Sequence, residues 1–293
     1  MDNFYITLPS NVPSFEQNTI ANYKTKLSSR LILPDEWEVG LVEISYTLSW
    51  YNSPNNEEIS LVYWDKGMSQ RTSKNVFLPP GRYDKIDDML NTINGRLSQF
   101  EDINLDTIPT ISVEDRDRII TISQGVKDKK RVFVELSDNL CSIFGFEKNK
   151  MSQYYGQKLL EYGQIESAKI AEGIKNFEHS APTDNELLYK AERPYEISGG
   201  YHSLFVYSNI VSPSFVGDSY TQLLRLVQIP TDAKYGEQIL ISYPNTYYVP
   251  LLIKEFDTIE IDIKDDNGQT IPFEFGRCII VLHFRKVNKK LYF

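Results

Sequence analysis

Polar and apolar residues alternate with a period of two over most of the chain. In IEIDIK, Ile259, Ile261 and Ile263 share one face, with Glu260, Asp262 and Lys264 on the other, the pattern of a half-buried strand. In RCIIVLHF, Cys278, Ile280, Leu282 and Phe284 fall together, opposite Arg277, Ile279, Val281 and His283. This predicts a strand covered on one side and half covered on the second. Between the two lies DDNGQ at 265–269, whose Asn267-Gly268 suits the φ > 0 positions of a tight hairpin turn. Pro272 then removes a ladder donor, which predicts an edge or bulge there. FYITL (4–8), YKTKLSSRLIL (23–33), WEVGLVEISYTL (37–48), ISLVYW (59–64), HSLFVYSNIV (202–211), TQLLRLVQI (221–229) and EQILISY (237–243) extend the series. Many short strands without alternating helices predict a sandwich or a barrel.

The middle of the chain has another rhythm. Ile86, Met89, Leu90, Ile93 and Leu97 recur at helical spacing and predict an amphipathic helix over about 85–99, with Asp84 as N-cap. TISVEDRDRIITIS (110–123) reads as a hairpin turning near Asp115–Asp117, and VFVEL (132–136) as a strand. Ser137 then caps a short helix, DNLCSIF, that Gly145 closes. Over 65–150 this is a small α+β module inserted between residues 1–64 and 201–293, which form the β domain. Residues 151–200 have no clear period and read as a long return connection, partly mobile. Within them, GQIESAKIAEGIKNF could be a helix and HSAPTDNE a loop.

Composition narrows the class. The 293 residues are 41% hydrophobic and 24% charged, which excludes a disordered or collagen-like chain. Tyr (19) and Phe (15) are frequent, as β-structure favours. A net charge of −9 argues against a broad nucleic-acid-binding face. Cys141 and Cys278 lie far apart, in no motif, and are expected as reduced thiols. The acidic Asp2 and the short FYITL run predict no signal peptide. CIIVLHF is far below a membrane span, and the expectation is a soluble intracellular protein.

Signatures of catalysis and metal binding are sparse. There is no G-x-S-x-G, Walker loop, H-E-x-x-H or G-x-G-x-x-G. The three histidines, His179, His202 and His283, are scattered. Asp265, Asn267, Gly268 and Glu274 match positions 3, 5, 6 and 12 of a calcium loop, but Ile263 at position 1 cannot ligate, so a turn is the better reading. Asp87-Asp88 and Asp265-Asp266 read as a helix start and a turn rather than an acid–base pair. No catalytic residue, cofactor or metal site is expected. Two basic pieces, Lys24, Lys26 and Arg30, and Arg285, Lys286, Lys289 and Lys290, are either solvated faces or surfaces turned toward an anionic partner.

Four segments carry a resemblance. FYITLPSN (4–11), WEVGLVEISY (37–46) with Trp50-Tyr51-Asn52, LFVYSNIVSPSFVGDSYTQLLRLV (204–227) and KEFDTIEIDIKDDNGQTIPFEFGRCIIVLHF (254–284) together resemble the penton, or minor capsid, protein of Polinton/Maverick elements and adintovirus-like double-stranded DNA viruses. They span about half the chain, at both ends; the middle matches loosely or not at all. The resemblance implies a single jelly-roll sandwich and a homopentamer at an icosahedral vertex. It also implies a double-jelly-roll major capsid protein as neighbour and an enclosed double-stranded DNA. The place of action would be the virion, after assembly in the host cytoplasm or nucleus. On this reading Trp50, Tyr51, Tyr247 and Tyr248 are exposed aromatics suited to assembly contacts, with packing inside the fold as the equal alternative. The two basic pieces would then be inner patches in weak contact with the DNA. The rival function is a jelly-roll binding module that recognises a glycan or host receptor through the inserted module.

Overall fold

The computed structural model describes residues 2–13, 15–65, 70–100, 104–114, 116–171 and 182–287. The chain divides into two compact units, one of residues 1–50 and 201–293, the other of 51–200. The first stretch supplies β1 (Asn3–Pro9), β2 (Asn22–Ile32) and β3 (Trp37–Thr47). The second unit follows with β4 (Glu57–Asp65), β5 (Gln70–Leu78), α1 (Ile86–Leu97), β6 (Thr110–Glu114), β7 (Ile119–Ser123), β8 (Gly125–Lys127) and β9 (Lys130–Leu136). It ends with α2 (Asp138–Phe144), α3 (Lys148–Ala171), α4 (Asp184–Leu187) and β10 (Leu188–Lys190). The chain then returns to the first unit through β11 (Ser203–Ser208), β12 (Ser214–Val216), β13 (Ser219–Thr221), β14 (Leu223–Gln228) and β15 (Gln238–Ser242). It finishes with β16 (Val249–Pro250), β17 (Glu255–Lys264) and β18 (Cys278–Lys286).

Strand pairing in the first unit defines the fold. One sheet runs β1-β18-β3-β15, with β16 also on β3; the other runs β14-β11-β17-β2. The eight main strands, numbered in chain order, are thus arranged 1-8-3-6 in one sheet and 5-4-7-2 in the other. That is jelly-roll order, with first and last strands paired and the chain crossing repeatedly between sheets. The fold class expected from the sequence, mainly β with a jelly-roll sandwich, is what the strand order shows. The second unit enters between β3 and β11, the third and fourth strands of the roll.

Alternation explains the sandwich. Ile259, Ile261 and Ile263 of β17 are wholly buried, as are Cys278, Ile280, Leu282 and Phe284 of β18. They meet Leu41, Ile44 and Tyr46 of β3 and Leu204 and Val206 of β11 in one core. Each such side chain contributes roughly 1.5–3 kcal/mol by leaving water. Phe4 stacks on Phe284 at 4.8 Å, and the buried Tyr23 hydroxyl donates to the Leu8 carbonyl at 3.1 Å.

The expected hairpin between the last two strands does not form. β17 and β18 belong to opposite sheets. The 265–269 turn is present: the Asp265 Oδ1 accepts from the amides of Asn267 at 3.0 Å and Gln269 at 2.7 Å, and Gly268 has φ +78°. The chain bonds back only as far as Ile271, whose amide reaches the Ile263 carbonyl at 3.2 Å. Pro272 has no N–H to extend that ladder. The segment then arches to the other sheet, held where the Ser49 hydroxyl donates to the Phe275 carbonyl at 2.7 Å. Both strands own an apolar face, so each completes a different wall of the core.

The second unit has its own core around Ile59, Leu61, Met89, Ile93, Val132, Phe133 and Phe144. Its sheets run β5-β4-β9-β8 and β10-β7-β6. β4 pairs with β5 along its whole length and with β9, so ISLVYW lies in this unit and not in the jelly roll. The boundary expected after residue 64 therefore falls after Trp50. α1 buries the five expected residues, but its N-cap is Lys85, without a side-chain bond; Asp84 instead pairs with Arg82 at 3.3 Å. Ser137 and Gly145 cap α2 as expected, the Ser137 hydroxyl accepting from the Leu140 amide and Gly145 taking φ +82°. Residues 151–200, expected as a connection, contribute most of α3 together with α4 and β10. α3 buries Met151, Tyr155 and Leu159, a stripe at four-residue spacing. His179 and residues 172–177 of the suggested helix lie outside the described residues.

Candidate assembly surface

The outer face of the β1-β18-β3-β15 sheet carries Tyr247 and Tyr248. Their platform is Gly40 on β3. A Cβ there would lie 2.4 Å from the Thr246 Cγ2 and 2.7 Å from the Tyr247 carbonyl oxygen, so only glycine lets the 244–248 loop rest on the sheet. The loop leaves Tyr247 65% exposed. Tyr248 is half-buried: its hydroxyl is 2.7 Å from the His283 Nδ1, and the Arg285 guanidinium covers its ring at 3.5 Å. Tyr5 stacks on the other side of His283 at 4.4 Å. Burial first, and the Arg285 charge second, hold His283 below the usual imidazole range. Arg285 also pairs with Glu38. From β14, the Arg225 guanidinium lies 3.8 Å over the Tyr243 ring. Arg225, Tyr247, Tyr248 and Arg285 border an open depression of about 490 Å³.

Trp50 is a correction. It is wholly buried, edge-on to Phe273 at 5.3 Å and to Tyr201 at 5.9 Å, and belongs to the jelly-roll core. It is no assembly contact, because the 271–277 arch closes over it. Tyr51 is half-buried and lies in the second unit.

The basic pieces are largely matched by acids across the strands. Lys24 pairs with Glu260 at 3.1 Å, Arg30 with Glu255 at 3.0 Å, and Lys286 with Asp35 at 2.7 Å. β2 lies against β17 and β18 against β3, so cross-strand neighbours supply the carboxylates. Lys26, opposite Thr258, has no ion-pair partner among the described residues. Lys289 and Lys290 lie outside them.

Sequence reasoning missed a second exposed feature. β12 and β13 form a short hairpin whose register sets Phe215 opposite Tyr220, their rings 5.0 Å apart. These rings are 79% and 64% exposed. The signal was SFVGDSYT, a Gly217-Asp218 turn between alternating residues. Gly217 takes the positive φ, +61°, that such a turn requires.

No group of three or more His, Cys, Asp and Glu side chains converges among the described residues. Cys141 and Cys278 are buried free thiols, each pushed up to about 12 by burial and so protonated at neutral pH. No described helix is long and apolar enough to cross a membrane.

No protein-family model matches the chain, and no curated protein matches it. Among solved structures, the chain is similar to the mavirus penton protein. The two share 13% identity, with a TM-score of 0.48, over 97% of this chain and 99% of that one.

Proposed function

We propose that this chain is a penton, a structural capsid protein whose pentamers form the vertices of an icosahedral double-stranded DNA virus or Polinton-like element. One observation carries the reading. The four segments that resemble Polinton and adintovirus pentons are scattered through the sequence, yet nearly all their residues belong to one unit, as β1, β3, β11–β14 and β17–β18 of a jelly roll. Jelly rolls of this order build capsids as well as lectins. The activity is assembly: burial of apolar area between identical neighbours, with another flank left for a double-jelly-roll major capsid protein. Contact with packaged DNA is weak on this reading, since Lys24, Arg30, Arg285 and Lys286 already share carboxylates. Imaging of the purified protein tests it. Fivefold rings support a penton, and particles with no rotational symmetry at any concentration oppose it.

A further inference from the structure

The β12–β13 hairpin is inside out for an isolated amphipathic element. Ser219 and Thr221 line a shallow depression with Tyr207, Glu260 and Asp262, residues that alternate with the buried positions of β11 and β17 and so mark the outer face of their sheet. Their register partners are Val216 and Ser214. The polar side thus lies on the protein's own sheet, and the Phe215–Tyr220 pair points to solvent. Two adjoining aromatic rings, tilted at 52° and exposed at 79% and 64%, cost free energy unless a partner covers them.

A complementary seat exists on a different surface of the same sandwich, where Arg225 of β14 reaches the 244–248 loop and Arg285 of the other sheet. The depression at Tyr247 is lined by Arg225, Pro244, Thr246, Tyr248 and Arg285, with no carboxylate among its lining residues. Arg285 alternates with the buried residues of β18, so it projects from the outer face of the other sheet. Arg225 has no ion-pair partner among the described residues. The hairpin has the matching charge at its tip, where the exposed Asp218 accepts only from the neighbouring Ser219 hydroxyl at 3.2 Å.

We propose that the hairpin of one copy seats in the Tyr247 depression of the next. Phe215 and Tyr220 pack on Pro244 and Tyr247, and Asp218 faces Arg225, since Arg285 is already paired with Glu38. The partner is a second copy of this chain, because the acidic, aromatic tip matches the cationic, aromatic seat. Tip and seat are different surfaces of the chain, so the contact is heterologous and repeats head to tail until a ring closes. The inference rests on the proposed penton reading and specifies how its ring is held.

Two full-length variants test it. Phe215→Ser with Tyr220→Ser removes the tip, and Tyr247→Glu removes the seat. All three residues are solvent-exposed, so unchanged circular dichroism and melting are expected. In sedimentation each variant alone should be monomeric where the wild type is assembled. Mixed, they retain one intact tip and one intact seat, and should form a one-to-one dimer that grows no further. A variant that assembles like the wild type, or a mixture that stays monomeric, overturns the contact but leaves the penton reading standing. A wild type that never assembles overturns both.

Discussion

Leu282 projects from the middle of β18 into the jelly-roll core and is wholly buried. Leu282→Ala should cost about 2–5 kcal/mol in urea unfolding, with an unchanged denaturant slope. A loss under 1 kcal/mol would show that the position is loosely packed. One residue on, His283 faces outward and has a different consequence. Its pKa is depressed, so the unfolded chain binds a proton in a pH range where the folded chain does not. The associated stability is present above about pH 6.5 and is lost as pH falls through the folded value. Protonation also makes Nδ1 a donor toward the Tyr248 hydroxyl, whichever tautomer the neutral ring holds. Between pH 7.5 and 5, the urea midpoint of the wild type should fall more than that of His283→Phe; parallel curves would show that other groups set the dependence. Both faces of this strand were legible in the sequence, because a period of two needs no tertiary information. Trp50 was not: the arch that buries it comes from residues more than two hundred positions away.

At the scale of elements, the 244–248 loop depends on Gly40. Gly40→Ala should displace the loop or strain the strand, at about 1–3 kcal/mol, read from the unfolding midpoint. It should also raise the protein concentration needed for assembly, because Tyr247 sits on that loop; a variant as stable as the wild type would mean that the loop adapts freely. The turn before β18 shows where sequence reasoning stops. Asp265 and Gly268 were correctly assigned to a turn, since their bonds are local. Pro272 ends the local ladder, but which sheet the chain then enters is decided by the two walls of the one core that β17 and β18 complete. Likewise, among the described residues α3 buries Met151, Tyr155 and Leu159 as a stripe, too narrow to announce a 24-residue helix.

For the whole molecule, the two hydrophobic cores share no residue: one draws only on residues up to Trp50 and beyond Gly200, the other only on those between. The rings of Trp50 and Tyr201 are 5.9 Å apart, so a short linker spans the excision points. Deleting Tyr51–Gly200 and bridging with a few Gly and Ser residues should leave a β domain that unfolds in one cooperative step. A broad, non-cooperative transition would show that the insertion completes the roll. The sequence located both ends of the roll through the resemblance but placed β4 on the wrong side, because a strand's partners are not written in its own alternation. The central claim is that this protein acts by closing rings of identical copies. Each copy carries −9, so salt screens their mutual repulsion while leaving apolar burial intact. The most direct test is the mass of the purified wild-type protein by analytical ultracentrifugation, from low salt to about 1 M. The account predicts a species of about five chains that persists or strengthens as salt rises; a monomer throughout, or a ring that dissolves at high salt, would contradict it.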